Sequence, residues 1–121
     1  MFGIGIDIVQ VNRFKRWFEN PMLLERFFHK EELADVLSRG VGKTQSLAAR
    51  FAAKEAFGKA LGTGLTGLSL KDIYVKNNKN GMPEMVLVGS AKAVFEASDA
   101  NQVHLSLSHE KNYAVAIVAV S

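Results

Sequence analysis

Cysteine is absent from the 121 residues. That excludes disulfides, thiolate metal sites and a cysteine nucleophile, and it leaves the redox compartment open. Long apolar runs are missing as well. The longest aliphatic run, Ala114 to Val120, has seven residues, whereas a membrane-spanning helix needs roughly 20. The N-terminus shows no basic flank followed by an apolar stretch, so no signal peptide is expected and the cytoplasm is the default location. Charge of one sign is nearly balanced by the other. Fifteen Lys and Arg against twelve Asp and Glu leave +3. This excess fits an acidic partner or a phosphorylated ligand and is too small to indicate nucleic-acid binding. What remains is ordinary globular composition, 48% hydrophobic and 22% charged, which excludes wholesale disorder. The length suits one domain over residues 1–121, and no internal repeat, low-complexity tract or linker interrupts it.

Gly3-Ile4-Gly5-Ile6-Asp7-Ile8-Val9 alternates. Ile4, Ile6 and Ile8 point one way, and Gly3, Gly5 and Asp7 the other, so the segment reads as a strand with one buried face. The two glycines strip side chains from the face carrying Asp7, which lets something approach that carboxylate closely. A short helix is expected over Asn12–Glu19, with Asn12 as a cap and Asn20-Pro21 as a breaker. A second helical patch runs from Met22 to Leu37, interrupted near His29 and closed by Gly40 and Gly42. The clearest helix follows: Thr44 can cap it, it spans Gln45–Leu61, and Gly62-Thr63-Gly64 ends it. Asp72–Lys76 and Glu84–Val88 read as a hairpin around Asn77–Gly81. Ser90–Ala97 reads as a helix, and Val103–Ser108 and Tyr113–Val120 as two further strands. This order predicts an α+β domain whose mostly antiparallel sheet is covered by the long helix.

On that helix Ala48, Phe51, Ala52, Glu55 and Lys59 share one side, at about 100° per residue. The alanines make the side thin, so the helix can lie close to the sheet. Glu55 and Lys59 stand four apart, which taken alone also describes an exposed ion pair. Asp7, taken alone, also suits a strand-end residue facing solvent. If the helix packs across the first strand, Asp7 and Glu55 could meet. Two carboxylates in contact repel unless one is protonated or a cation lies between them. Oxygen donors without His or Cys suit Mg²⁺, which takes one or two carboxylates and fills its other positions with water and phosphate. Lys59, one turn beyond Glu55, would face the same phosphate, as magnesium-assisted phosphoryl transfer requires.

Three segments together carry a resemblance: Gly3-Ile4-Gly5-Ile6-Asp7-Ile8-Val9, then Phe51-Ala52-Ala53-Lys54-Glu55-Ala56-Phe57-Gly58-Lys59-Ala60-Leu61-Gly62-Thr63-Gly64, then Ser106-Leu107-Ser108-His109. In this order the chain resembles the holo-acyl-carrier-protein synthases, the short, bacterial-type members of the 4′-phosphopantetheinyl transferase superfamily. The resemblance spans essentially the whole chain. It implies transfer of 4′-phosphopantetheine from coenzyme A to a serine of apo acyl carrier protein, with release of 3′,5′-ADP, Mg²⁺ assistance and a place in fatty acid biosynthesis. It implies Asp7 and Glu55 as magnesium ligands and Lys59 as the residue on the pyrophosphate. Glu55, directly or through a water, becomes the candidate acceptor of the serine proton.

The resemblance further implies a coenzyme A site that includes Lys59, Gly62, Thr63, Gly64, Asn80, Gly81, Pro83, Ser108 and His109. Gly62-Thr63-Gly64 also reads as a plain C-cap, and Asn80-Gly81-Met82-Pro83 as a plain hairpin turn. Lys43 is a weaker candidate for the coenzyme's 3′-phosphate. His29 and His104 carry no such support. Carrier proteins are acidic helical bundles, so Arg13 and Arg26, with Phe51, are candidate carrier-protein contacts and would steer encounter. A homotrimer with clefts between subunits is implied too, compatible with Ala114–Val120 being apolar on both faces. One departure is Gln10, where the family commonly has Glu. The rival readings, a small basic RNA- or nucleotide-binding module using Arg13–Phe28 and a purely structural oligomer, leave Asp7 and the Glu55–Lys59 pair without a task.

Overall fold

The computed structural model describes residues 2–121. Strand β1 (Gly3–Gln10) alternates as expected, and its buried face is the glycine face. Gly5 and Val9 are buried, while Ile4, Ile6 and Ile8 are 61%, 56% and 61% exposed. The reason is the helix laid across it. Helix α3 (Lys43–Leu61) presents Ala48, Ala52, Ala56 and Ala60, all buried, at every fourth position. These small side chains and the bare glycines let strand and helix backbones nearly touch. A Cβ on Gly5 would lie 2.7 Å from Ala60 N, and one on Gly3 would collide with the Ala60 carbonyl oxygen.

A 3₁₀ segment, Val11–Glu19, continues from β1. The expected Asn12 cap is not made, because the segment begins one residue earlier and Val11 N–H donates to the Asn112 carbonyl at 2.8 Å. Helix α1 (Pro21–Phe27) starts where the Asn20 side chain accepts from Leu23 N–H, with Pro21 in the first turn. The chain breaks at Phe28-His29 and re-enters helix α2 (Lys30–Leu37), capped by His29 Nδ1 accepting from Glu31 N–H. A 3₁₀ turn, Gly40–Gly42, runs straight into α3. Thr44 therefore lies inside the first turn and caps nothing. At the other end Gly62, at φ 80°, terminates α3 in the left-handed region, as expected.

Strands β2 (Ile73–Asn77) and β3 (Pro83–Leu87) form a separate two-stranded hairpin. Helix α4 (Gly89–Ala97) leads to β4 (Val103–His109) and β5 (Tyr113–Val120). The main sheet has the order β1-β5-β4, antiparallel throughout, with Asp7 opposite Ala116 and His109 opposite Ala114. The fold is α+β, with α3 packed on this sheet's inner face. Phe14, Phe28, Leu47, Phe57, Ile73, Val118 and Val120 form the fully buried core. The aromatics between Phe14 and Phe28 belong largely to it. Phe14 stacks obliquely on Trp17 and Phe51 at 4.9 and 5.1 Å, and Trp17 reaches Phe27 at 5.7 Å.

Candidate active site

The close packing of α3 on β1 brings together residues 52 positions apart. Lys59 Nζ donates to Asp7 Oδ1 at 3.1 Å and to the Ile6 carbonyl at 3.0 Å. The Lys59 side chain is 54% exposed and that of Asp7 17%, so the lysine can leave while the carboxylate stays walled in. Glu55 lies one turn back on the same helix face. Partial burial, and then the charge of Asp7, push its carboxyl above the ordinary range, against the opposing pull of Lys59 and Arg13. The Arg13 guanidinium rests 5.1 Å from the ring centres of both Phe14 and Phe51, beside this cluster.

Two neighbouring carboxylates, one of them held above its ordinary range by the other's charge as well as by burial, with solvent on one side, suit a hard divalent cation. Among the described residues no three His, Cys, Asp or Glu side chains converge. The donor set thus matches a cation that leaves coordination positions for water and phosphate.

Farther along α3 a cleft of about 460 Å³ opens between the helix, the hairpin and the end of β4. Arg39, Ser46, Arg50, Val75, Pro83 and His109 line it. Of the sequence candidates, Pro83 and His109 thus share this cleft. Ser108 does not, because adjacent strand residues face opposite ways and Ser108 lies on the outer sheet face opposite Val115. Asn80 and Gly81 form the exposed hairpin tip, where Asn78 Oδ1 accepts from Asn80 N–H at 2.8 Å. Gly62, Thr63 and Gly64 are exposed beyond the end of α3. Lys43 turns away from the cleft, its ammonium 4.6 Å from the Phe18 ring centre. Arg26 is exposed on α1 over Phe27, while Phe51 is buried beneath Arg13 in the aromatic core.

Arg39 and Arg50 are cleft residues that the sequence reading passed over. Arg50 is buried, with Nε donating to Ser46 Oγ at 3.2 Å and Nη1 to the Val75 carbonyl at 2.6 Å. Lys54, also missed, is fully buried and donates to Glu32 and to the Leu70 and Ile73 carbonyls. Burial pulls its proton affinity down, and Glu32 opposes this. Glu32 closes the circuit by accepting from Val75 N–H, and from His29 N–H at 3.1 Å. The available signal was a like-charged pair four apart in the stretch Ala48–Phe57, which apart from Glu55 is otherwise alanine and phenylalanine, a pattern unfavourable unless acids elsewhere face it.

The family model of the 4′-phosphopantetheinyl transferase superfamily matches residues 3–118. A holo-[acyl-carrier-protein] synthase of Treponema denticola is 54% identical over 120 residues, covering 99% of this chain and 98% of the relative. The crystal structure of the synthase from Neisseria meningitidis superposes with a TM-score of 0.89 at 34% identity, covering 98% of this chain and 97% of that one. The Bacillus anthracis synthase, solved in complex with CoA (3′,5′-ADP), gives a TM-score of 0.80 at 38% identity over 98% of this chain and 94% of its own. A full-length family match, close relatives of one kind and a shared fold lead to one assignment: the chain belongs to the 4′-phosphopantetheinyl transferase superfamily, among the holo-[acyl-carrier-protein] synthases.

Proposed function

We propose that this chain moves 4′-phosphopantetheine from coenzyme A to a serine hydroxyl of apo acyl carrier protein, at the junction of β1 and α3, for fatty acid biosynthesis in the cytoplasm. The observation that carries the reading is the Lys59–Asp7 hydrogen bond across the α3–β1 contact, with Glu55 near enough for the Asp7 charge to raise its carboxyl. The serine oxygen attacks the phosphorus bearing the pantetheine arm, the bridging P–O bond of the pyrophosphate breaks, and 3′,5′-ADP leaves. Asp7 and Glu55 would hold a magnesium ion, which when bound supplies charge neutralisation across the pyrophosphate. Lys59, released from Asp7 and Ile6, donates hydrogen bonds to the leaving phosphate. Glu55, directly or through a water, is the acceptor we assign for the serine proton.

The cleft supports the coenzyme half of the reading. Arg39, Arg50 and His109 offer cations and a donor for a phosphorylated ribose, with Pro83 as an apolar wall. The exposed glycine-rich loop Gly62–Gly64 and the Asn80–Gly81 tip flank the path of the coenzyme. Arg13, over Phe51, and Arg26 on α1 are the cations we assign to the acidic carrier. We further assign residues 1–121 to one domain and the active form to a homotrimer. The outer sheet face supports that form, since Ile4, Ile6, Ile8 and Ile117 stand exposed there together. Among the described residues no helix is long and apolar enough to cross a membrane.

The test is direct. Incubation with coenzyme A, apo carrier protein and Mg²⁺ should add the phosphopantetheine mass to the carrier, and EDTA should abolish the gain. Asp7→Asn and Glu55→Gln should each lower kcat/KM by about 100-fold or more with the fold intact. Near-wild-type rates in both would defeat the assignment of the two carboxylates.

A further inference from the structure

We propose that Asp35 is a positioning residue for the coenzyme's ribose-phosphate end, gathering Arg39 and Arg50 into one clamp at the cleft. The proposal rests on the coenzyme reading above. Asp35 lies on α2, and a single carboxylate oxygen, Oδ2, accepts from Arg39 Nη2 at 3.0 Å and from Arg50 Nη2. The two arginines differ in how else they are held. Arg50 is buried and fixed by Ser46 and Val75. Arg39 has a side chain 39% exposed, and Asp35 is its one side-chain hydrogen-bond partner among the described residues. Without Asp35 the two guanidinium charges repel and Arg39 is free to swing into solvent. A guanidinium has five N–H donors, so both arginines keep donors for a ligand.

The ligand geometry follows from α3. Arg50 precedes Glu55 by five residues and Lys59 by nine, which is about 7.5 and 13.5 Å along the helix axis at about 1.5 Å per residue. At about 100° per residue the same offsets turn Arg50 to a different side of α3 from Glu55 and Lys59, so in the homotrimer proposed above a coenzyme whose pyrophosphate occupies the Glu55–Lys59 end of one copy would bring its 3′-phosphate towards the arginines of a neighbouring copy. Simple charge counting and positioning predict opposite signs here. Removing a carboxylate beside an anion should tighten binding if Asp35 acts only through its charge. It should weaken binding if Asp35 acts by holding the arginines.

Equilibrium titration of the full chain with 3′,5′-ADP, and with 5′-AMP, which lacks the 3′-phosphate, separates the two. Asp35→Asn should weaken 3′,5′-ADP binding about tenfold and 5′-AMP binding less than about twofold. Arg39→Gln, on an exposed side chain, should show the same selective loss even should Asp35→Asn fail to fold. The double variant should bind 3′,5′-ADP no more weakly than Arg39→Gln alone. Unchanged or tighter 3′,5′-ADP binding in Asp35→Asn, an equal loss for both nucleotides, or additive losses in the double variant would overturn the proposal. Wild-type protein that binds neither nucleotide would defeat the coenzyme reading itself, and this proposal with it.

Discussion

Glu55 is held in a state that folding disfavours. Partial burial and the Asp7 charge raise its carboxyl above the ordinary value of 4.5, and Lys59 and Arg13 only partly offset them. An acid whose folded pKa is raised binds its proton more tightly in the native state than in the unfolded chain. Its contribution to stability is therefore fully present below pH 4.5 and is lost as pH rises through the folded value. At neutral pH the ionised side chain weakens the fold, as carboxylates kept for chemistry commonly do. Glu55→Gln removes that charge without changing shape. We expect it to raise Tm by about 2–4 °C at pH 7.5, with the gain vanishing below about pH 4. Scanning calorimetry across that range checks the sign, and an unchanged or lower Tm at pH 7.5 counts against it. Millimolar Mg²⁺ should stabilise the wild type and not the variant, since only a site with both carboxylates couples binding to folding.

The contact between β1 and α3 is what brings two acids distant in sequence near each other. It depends on Gly5 having no side chain, because an added Cβ would sit 2.7 Å from Ala60 N and against the Ala56 carbonyl. Both obstacles are backbone, so strand and helix must part. Gly5→Ala should cost about 1–3 kcal/mol by overpacking. A shift of order 1 Å between Asp7 and Glu55 should lower kcat/KM by about 100-fold. Thermal melts and transfer rates read the two effects separately, and a variant of full activity would show that the close approach is dispensable. Much of this was legible beforehand. The bare face of the strand, the thin face of the helix and the Gly62 stop are period and propensity effects, written locally. Which element fills the bare face is not local, and neither is the pairing of Lys54 with Glu32 or of Arg50 with Asp35, which joins helices separated by the Gly40–Gly42 turn. That same turn misled the reading of Thr44, because a 3₁₀ entry supplies the start that a capping side chain would otherwise mark. Ser108 and His109 take opposite faces of the sheet within one copy for a reason the sequence did contain, since neighbours on a strand face opposite sides.

The molecule has one covered sheet face and one bare one. α3 covers the inner face, while β1 and β5 leave Ile4, Ile6 and Ile8 exposed beside Val115, Ile117 and Ala119 on the outer face. Isolated apolar side chains on a surface are ordinary, but a contiguous row across paired strands is the pattern of an interface. A closed ring of identical subunits would bury the row in every copy without leaving an unsatisfied edge. Such a ring would also give the outer-face residue Ser108 a place near a neighbouring copy's surface, although it faces away from the His109 cleft of its own subunit. Ile117 occupies the middle of the row, opposite Ile6 on one side and Ser106 on the other. Ile117→Lys should insert a charge that an apolar interface cannot solvate. Sedimentation equilibrium should find three copies per particle in the wild type and one in the variant. Transfer activity should fall at least tenfold in the same samples, because a cleft shared between subunits would be incomplete in a lone chain. A wild type that sediments as a monomer at full activity would leave the isoleucine row without this role.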